Sequence, residues 1–227
     1  MLVLALDTSS AAVAVALVDV PATGSTVTLA TQTADTRGHG EMLSPSIAEC
    51  LVEAHTTPNQ LGAVVAGLGP GPFTGLRVGL VTAGALADAL SIPVYGVCSL
   101  DGLAHTSAGD LLVATDARRK EVYWACYRDG LRLTGPDVAK PADVPTDGIA
   151  AMTGAGARLY ADVLGLPLLD VEHADPVRLV ELALDRIRDT APSETLVPLY
   201  LRRPDAVVPA SMRASVGKAS VGEGAKP

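Results

Sequence analysis

With 227 residues, 48% of them apolar, and a formal net charge of −8, the chain can bury a sizeable core as one large domain or two small ones. One Phe and one Trp leave that core to Ala, Val and Leu, which suits close-packed helices and buried strands. The acidic balance argues against a direct nucleic-acid partner, since a polyanion needs Lys and Arg clusters and no basic run exceeds Arg118-Arg119-Lys120. Cys50, Cys98 and Cys126 lie in apolar surroundings with no Cys-x-x-Cys pattern, which predicts reduced, buried thiols in a cytoplasmic protein. The N-terminal apolar run reaches Asp7 at once, too soon for a signal peptide or a membrane span, so no membrane partner is expected.

Residues 2–6 form an apolar run ending at Asp7-Thr8-Ser9-Ser10, and 11–18 a second run rich in Ala and Val. After turn chemistry at 19–25, residues 27–33 alternate apolar side chains with Thr and Gln. Three strands on short turns are expected to be antiparallel neighbours. The spacing of Met42, Leu43, Ile47, Leu51 and Val52 predicts an amphipathic helix over 39–54. A strand at 63–67, a Gly/Pro loop, a helix over 74–90 and a strand at 94–97 follow. Beyond a linker-like stretch at 105–110, strands are expected at 111–115 and 121–128, flanking a turn at 116–120. The prolines of 136–148 predict a loop, and 149–153 a strand running into Gly154-Ala155-Gly156. Then come a helix at 157–164, a short strand at 166–169, a helix at 175–188 and a last ordered piece at 196–201.

The loop holds the densest signal. Gly69-Pro70-Gly71-Pro72-Phe73-Thr74-Gly75 mixes residues that permit positive φ with residues that fix φ, which makes a rigid turn. Thr74 stands where a helix N-cap is wanted, and the helix would point its positive end into the loop. No Gly-Lys-Ser/Thr follows, so it is not a P-loop. The run Gly69-Pro70-Gly71-Pro72-Phe73-Thr74-Gly75-Leu76-Arg77-Val78-Gly79 closely resembles the Gly-Pro-Gly-Ser-Phe-Thr-Gly-Leu-Arg-x-Gly signature of the bacterial threonylcarbamoyladenosine-biosynthesis B subunits, TsaB. It departs at Pro72, where serine is usual. Satellite matches at 7–9, 39–45, 93–104, 116–123 and 198–202 run in the family's order and extend the resemblance over roughly residues 1–205.

Element order and this resemblance together imply an α/β protein of two tandem ribonuclease-H-like subdomains, as in actin-like ATPases, with βββαβαβ in the first. Residues 1–104 are expected to form that N-terminal subdomain and its dimerisation face, 105–206 a smaller C-terminal subdomain, and 207–227 a disordered tail. The resemblance implies a noncatalytic scaffold of the complex that forms N6-threonylcarbamoyladenosine at tRNA position 37. Its partners would be the catalytic D subunit and the ATPase E subunit, with a homodimer when the chain is alone and another protein holding the tRNA. The alternative class is an actin-like-fold enzyme, either a small-molecule phosphotransferase or a metallopeptidase.

The residues weigh on that choice. Asp7, Thr8 and Ser9 at a strand end read either as a vestigial phosphate contact or as a turn satisfying its own backbone. Asp116 is followed by Ala117 and Arg118 rather than a glycine pair, and Gly154 reads as a turn glycine that could abut a nucleotide. These five residues leave residual ATP or ADP binding open, with no cofactor required. The D subunit's His-x-x-x-His metal pair falls on Ser99 and Leu103, neither able to replace imidazole on a transition metal, so no metal is expected. Ser9, Ser44 and Ser99 show no linked His and Asp, so no catalytic residue is expected. The helix over 74–90 is apolar nearly all round, which implies burial or a partner. Met42, Leu43, Ile47, Leu51, Phe73, Leu76, Gly79, Leu80 and Ala83 are the expected interface, with Gly79 and Ala83 on a smooth stripe for a neighbouring helix.

Overall fold

The structure is a computed structural model and describes residues 1–35, 38–104 and 109–202. The expected tail at 207–227, and most of the expected linker, lie outside the described residues.

The first sheet has strand order β3-β2-β1-β4-β5. Its members are β1 (Leu2–Asp7), β2 (Ala12–Asp19), β3 (Val27–Asp35), β4 (Leu61–Gly67) and β5 (Val94–Val97). As expected, β1 and β2 are antiparallel, and so are β2 and β3. β4 and β5 add on in parallel, which requires the crossovers supplied by α1 (His39–Glu53) and α2 (Phe73–Leu90). Because side chains alternate along a strand, β1 sends Leu4 and Leu6 toward α1 and α2, and Val3 and Ala5 to the opposite face. Both faces are covered, so these strands read as unbroken apolar runs rather than alternating ones.

The second sheet runs β8-β7-β6-β9. It comprises β6 (Asp110–Asp116), β7 (Val122–Arg128), β8 (Leu131–Ala139) and β9 (Ile149–Thr153). The loop expected from residue 136 onward is a correction: residues 131–139 form edge strand β8, with register shifts against β7 around Gly135-Pro136. An edge tolerates a proline that a central strand would not. Two expected helices are each broken. The first is α3 (Ala155–Leu159) and α4 (Ala161–Leu164), the second α5 (Pro176–Leu182) and α6 (Leu184–Arg188). Asp175 caps α5 by accepting the Val177 N–H at 2.8 Å. Residues 166–169 give a single bridge, Leu168 to Met152, in place of a strand.

The last described helices return to the first subdomain. Leu179, Val180, Ala183 and Ile187 are buried with Val3, Ala5, Ala16 and Val18 on the face opposite α1 and α2. Division at 104/105 assigns these helices to the second subdomain, yet their apolar side chains close the first sheet. Beyond them the chain covers the exposed edge of β5: Ser193 Oγ accepts the Val94 N–H at 3.1 Å and Glu194 Oε2 the Gly96 N–H at 2.9 Å. Arg186 holds Glu194 in place at 2.8 Å. An edge strand is thereby kept from pairing with another chain. Cys50, Cys98 and Cys126 are free and buried, and burial pushes the Cys50 and Cys98 thiols up to about 11.

α2 packs on the sheet through Leu76, Gly79, Leu80, Ala83 and Ala87, all buried and spaced at the helical period. It has the length and composition of a membrane span, but this stripe belongs to the folded core. Thr8 fixes its height above β1. The Thr8 hydroxyl donates to the Gly75 carbonyl at 2.8 Å and accepts the Gly79 N–H at 3.1 Å, so it sits inside the helix's own hydrogen-bond ladder. A Cβ on Gly79 would collide with that hydroxyl, whereas one on Gly84 would meet open space. Gly79→Ala is therefore expected to cost about 2 kcal/mol by overpacking. Gly84→Ala should gain roughly 0.5–1 kcal/mol from helix propensity. Urea titration of the two variants checks the opposite signs, and equal shifts would remove Thr8 as the cause.

Candidate functional site

The end of β1 is a closed hydrogen-bonded knot. Asp7 is 2% exposed. Its carboxylate accepts the Ser9 N–H at 2.9 Å, the Ser9 hydroxyl at 2.7 Å and a short bond from the Ser99 hydroxyl. Ser99 in turn accepts the Gly69 N–H at 2.9 Å, which ties the Gly/Pro loop to the same carboxylate. Gly67 lies so close that a Cβ there would overlap Asp7. Both carboxylate oxygens thus have neutral hydrogen-bond donors from within the chain. Asp7 is held within its own turn by Ser9 and from outside it by Ser99, which is the turn reading with one added partner. Thr8 fits neither expected reading, since its hydroxyl is engaged by Gly75 and Gly79 of α2.

A cleft of about 500 Å³ does open beside the knot, between the two subdomains. Ser9 and Asp116, two of the expected nucleotide residues, meet there, together with Ser10, Thr115, Arg118 and Arg158. Asp116 is already engaged: it accepts the Arg118 N–H at 2.8 Å and pairs with the Arg118 guanidinium at 3.1 Å. Arg158 is paired with Asp170 and Glu172. The Thr115 hydroxyl is buried without a hydrogen-bond partner among the described residues. Gly154 stands behind the wall with φ +104°, and a Cβ there would strike the Ala114 carbonyl. That close approach of backbone to backbone is what the glycine serves.

His173 latches the cleft's rim. Its Nδ1 lies 3.1 Å from the Ser10 hydroxyl and its Nε2 3.0 Å from Asp35. His39 Nε2 donates to the Ser10 carbonyl at 2.8 Å, so both histidines grip the turn after β1. The Ser10 hydroxyl also accepts the Ala12 N–H at 3.1 Å, an ordinary turn bond. Sequence reasoning missed this join because 10, 35 and 173 are far apart along the chain. At the two positions where the D subunit's histidines would fall, Ser99 is bonded to Asp7 and Leu103 is a core residue. Among the described residues, no group of three His, Cys, Asp or Glu side chains converges as metal ligands would.

The expected interface divides into two sets. Leu43, Leu51, Leu76, Gly79, Leu80 and Ala83 are buried within the chain, and Ile47 is half-buried against the same core. As surface anchors these are corrected: an amphipathic helix turns its strongest apolar stripe to its own sheet. Of the two residues expected to admit a foreign helix, Gly79 lies against the end of β1 and Ala83 is buried in the core under α2. Met42 and Phe73 are exposed, and Val81 and Val52 join them at 69% and 74% exposure. An open groove of about 490 Å³ lies along α2 between Phe73, Thr74, Arg77, Val78, Val81 and Thr82.

Comparison with known proteins fits this architecture. The family model described as TsaD, tRNA N6-adenosine threonylcarbamoyltransferase, matches residues 31–160. An uncharacterized protein of Mycobacterium leprae is 47% identical over 205 residues, covering 90% of this chain and 56% of that protein. The chain thus spans just over half the length of that relative. The tRNA threonylcarbamoyladenosine biosynthesis protein TsaB of Escherichia coli is 34% identical over 224 residues, covering 89% of this chain and 95% of the relative. The solved structure of YeaZ from Pseudomonas aeruginosa superposes with a TM-score of 0.74 at 29% identity, over 88% of this chain and 99% of that one. With near full-length identity above 30%, and the same two-sheet fold, the chain belongs to the TsaB family of tRNA threonylcarbamoyladenosine biosynthesis proteins.

Proposed function

We propose that the chain is a noncatalytic scaffold subunit, binding the catalytic D subunit through the outer face of α1 and α2 and helping to recruit the ATPase E subunit. The observation that carries this reading is the groove along α2 lined by the exposed Val81 with Phe73 at one end, together with the exposed Met42 of α1. Scattered apolar residues are normal on a surface, but apolar side chains along an open groove have the make-up of an interface centre. The chain lends no reacting group in this proposal. Metal, threonylcarbamoyl donor and transfer belong to the D subunit, and Asp7 acts as a structural tie rather than a phosphate ligand. A cytoplasmic location follows from the tRNA substrate.

Val81→Glu tests the face directly. Val81 is 69% exposed, so the fold should lose no more than about 0.5 kcal/mol. Complex formation with the D subunit should drop by at least tenfold in size-exclusion with light scattering. Retention of the heterodimer by this variant would place the interface elsewhere. Leu80→Glu is the wrong probe, since a carboxylate at a 7% exposed core position disrupts the subunit itself.

Asp7→Ala separates scaffold from enzyme. Removing the acceptor of three buried hydrogen bonds should cost about 3 kcal/mol in thermal or urea unfolding. In reconstitution with the D and E subunits, modified tRNA per folded complex should be unchanged. A drop in turnover with stability intact would return Asp7 to the chemistry.

A further inference from the structure

A separate cavity of about 560 Å³ opens where the Gly/Pro loop, the turn after β6 and the chain's last described residues come together. Phe73, Arg77, Arg118, Arg119, Tyr200 and Arg202 line it. The Phe73 and Tyr200 rings stack with centroids 5.1 Å apart at 29°. The Arg77 guanidinium lies 3.6 Å from the Phe73 centroid, and its Nε donates to the Tyr200 hydroxyl at 3.0 Å. Arg77 has aromatic partners and no carboxylate within ion-pair distance among the described residues. Asp116 and Glu121 answer Arg118 and Arg202. Arg118, Arg119 and Lys120 all hold φ between 56° and 62°, a left-handed turn whose Arg118 and Arg119 line the cavity.

We propose that this cavity receives an unpaired nucleotide of an RNA chain, with its base on the Phe73–Tyr200 pair and its phosphates toward Arg118 and Arg119. This rests on the scaffold reading above and names a direct contact with the RNA that the complex modifies. The combination of features selects the ligand. Stacked rings and a guanidinium plane offer sequence-tolerant faces for a base, and neighbouring arginines displace phosphate counterions. An acidic peptide would use the cations but leave the rings idle. A net charge of −8 argues against an extended RNA-binding surface, but not against one local contact. Positions 73, 77, 118, 119, 200 and 202 come together only in the fold.

The test uses the assembled complex with the D subunit and a fluorescein-labelled unmodified tRNA, followed by anisotropy across a salt series. The double variant Arg118→Gln/Arg119→Gln should weaken binding by about tenfold or more and reduce the log–log salt slope by about two. Tyr200→Ala should weaken binding by about tenfold with the slope unchanged. A tRNA carrying 4-thiouridine, irradiated with the unmutated complex, should crosslink to peptides containing Phe73 or Tyr200. Unchanged affinity and slope in the variants, crosslinks confined to other peptides, or displacement of the tRNA by AMP at low concentration would each overturn the inference. Modification of tRNA by the unmutated complex, supplied with the E subunit and the threonylcarbamoyl donor, is measured in parallel. If it proceeds while the cavity variants bind normally, this inference fails and the scaffold reading stands. If the reconstituted complex fails to modify tRNA at all, the scaffold reading is what has failed.

Discussion

The hydroxyl of Thr8 sits inside the backbone ladder of α2, and much else in the first subdomain is arranged around that contact. The helix can accept that hydroxyl only because Gly79 carries no side chain, while Gly75 leaves room for the Thr8 main-chain carbonyl. The bond pulls the helix close to the end of β1, and in the same turn Asp7 is folded inward and sealed by Ser9 and Ser99. The carboxylate at the end of β1 is thereby drawn into the fold, beside the cleft that Ser9 and Asp116 line. Glycine serves two different masters in this loop: some positions admit the Thr8 hydroxyl, while Gly67 and Gly71 admit the backbone and carboxylate of the β1 turn.

One consequence is a helix with two distinct sides. Its inner stripe from Leu76 to Ala87 belongs to the core, and its outer side carries Phe73, Val81 and the long Arg77. Composition makes the whole helix look greasy, but only the outer side can meet another molecule. The same reasoning applies to charge. A strongly acidic chain still gathers arginines from three distant segments around Phe73 and Tyr200. The return of residues 176–199 to the first sheet is what makes this possible, since it carries Tyr200 and Arg202 back to the Gly/Pro loop.

How much of this could be read from the residues depends on the range of the interaction. The strands and helices of the first subdomain were legible because their apolar runs and periodicity are local properties, and the Gly/Pro signature carried the family. Strand β8 was hidden by Pro136, since a proline usually signals a loop and only an edge position excuses it. The breaks at Tyr160 and Ala183 were hidden because neither residue is a helix breaker by composition. The interface was half legible: periodicity shows that a stripe is apolar, but the sheet decides which stripe is inward. That choice moved Leu43, Leu51, Leu76 and Leu80 into the core and left Met42 and Phe73 outside. The links from Thr8 to Gly79, Ser99 to Asp7 and His173 to Ser10 span between 71 and 163 residues, beyond the reach of any local pattern.

The central claim is that the molecule works through the outer face of α1 and α2 and not through a reactive centre of its own. Hydroxyl-radical footprinting with mass spectrometry reads that face side chain by side chain, with and without the D subunit. Strong protection of Met42 and Val81 on adding the partner, with the exposed Leu131 of β8 unchanged, is the predicted result. Oxidation of Met42 and Val81 at the same rate in both samples, while the heterodimer is demonstrably formed, would contradict it.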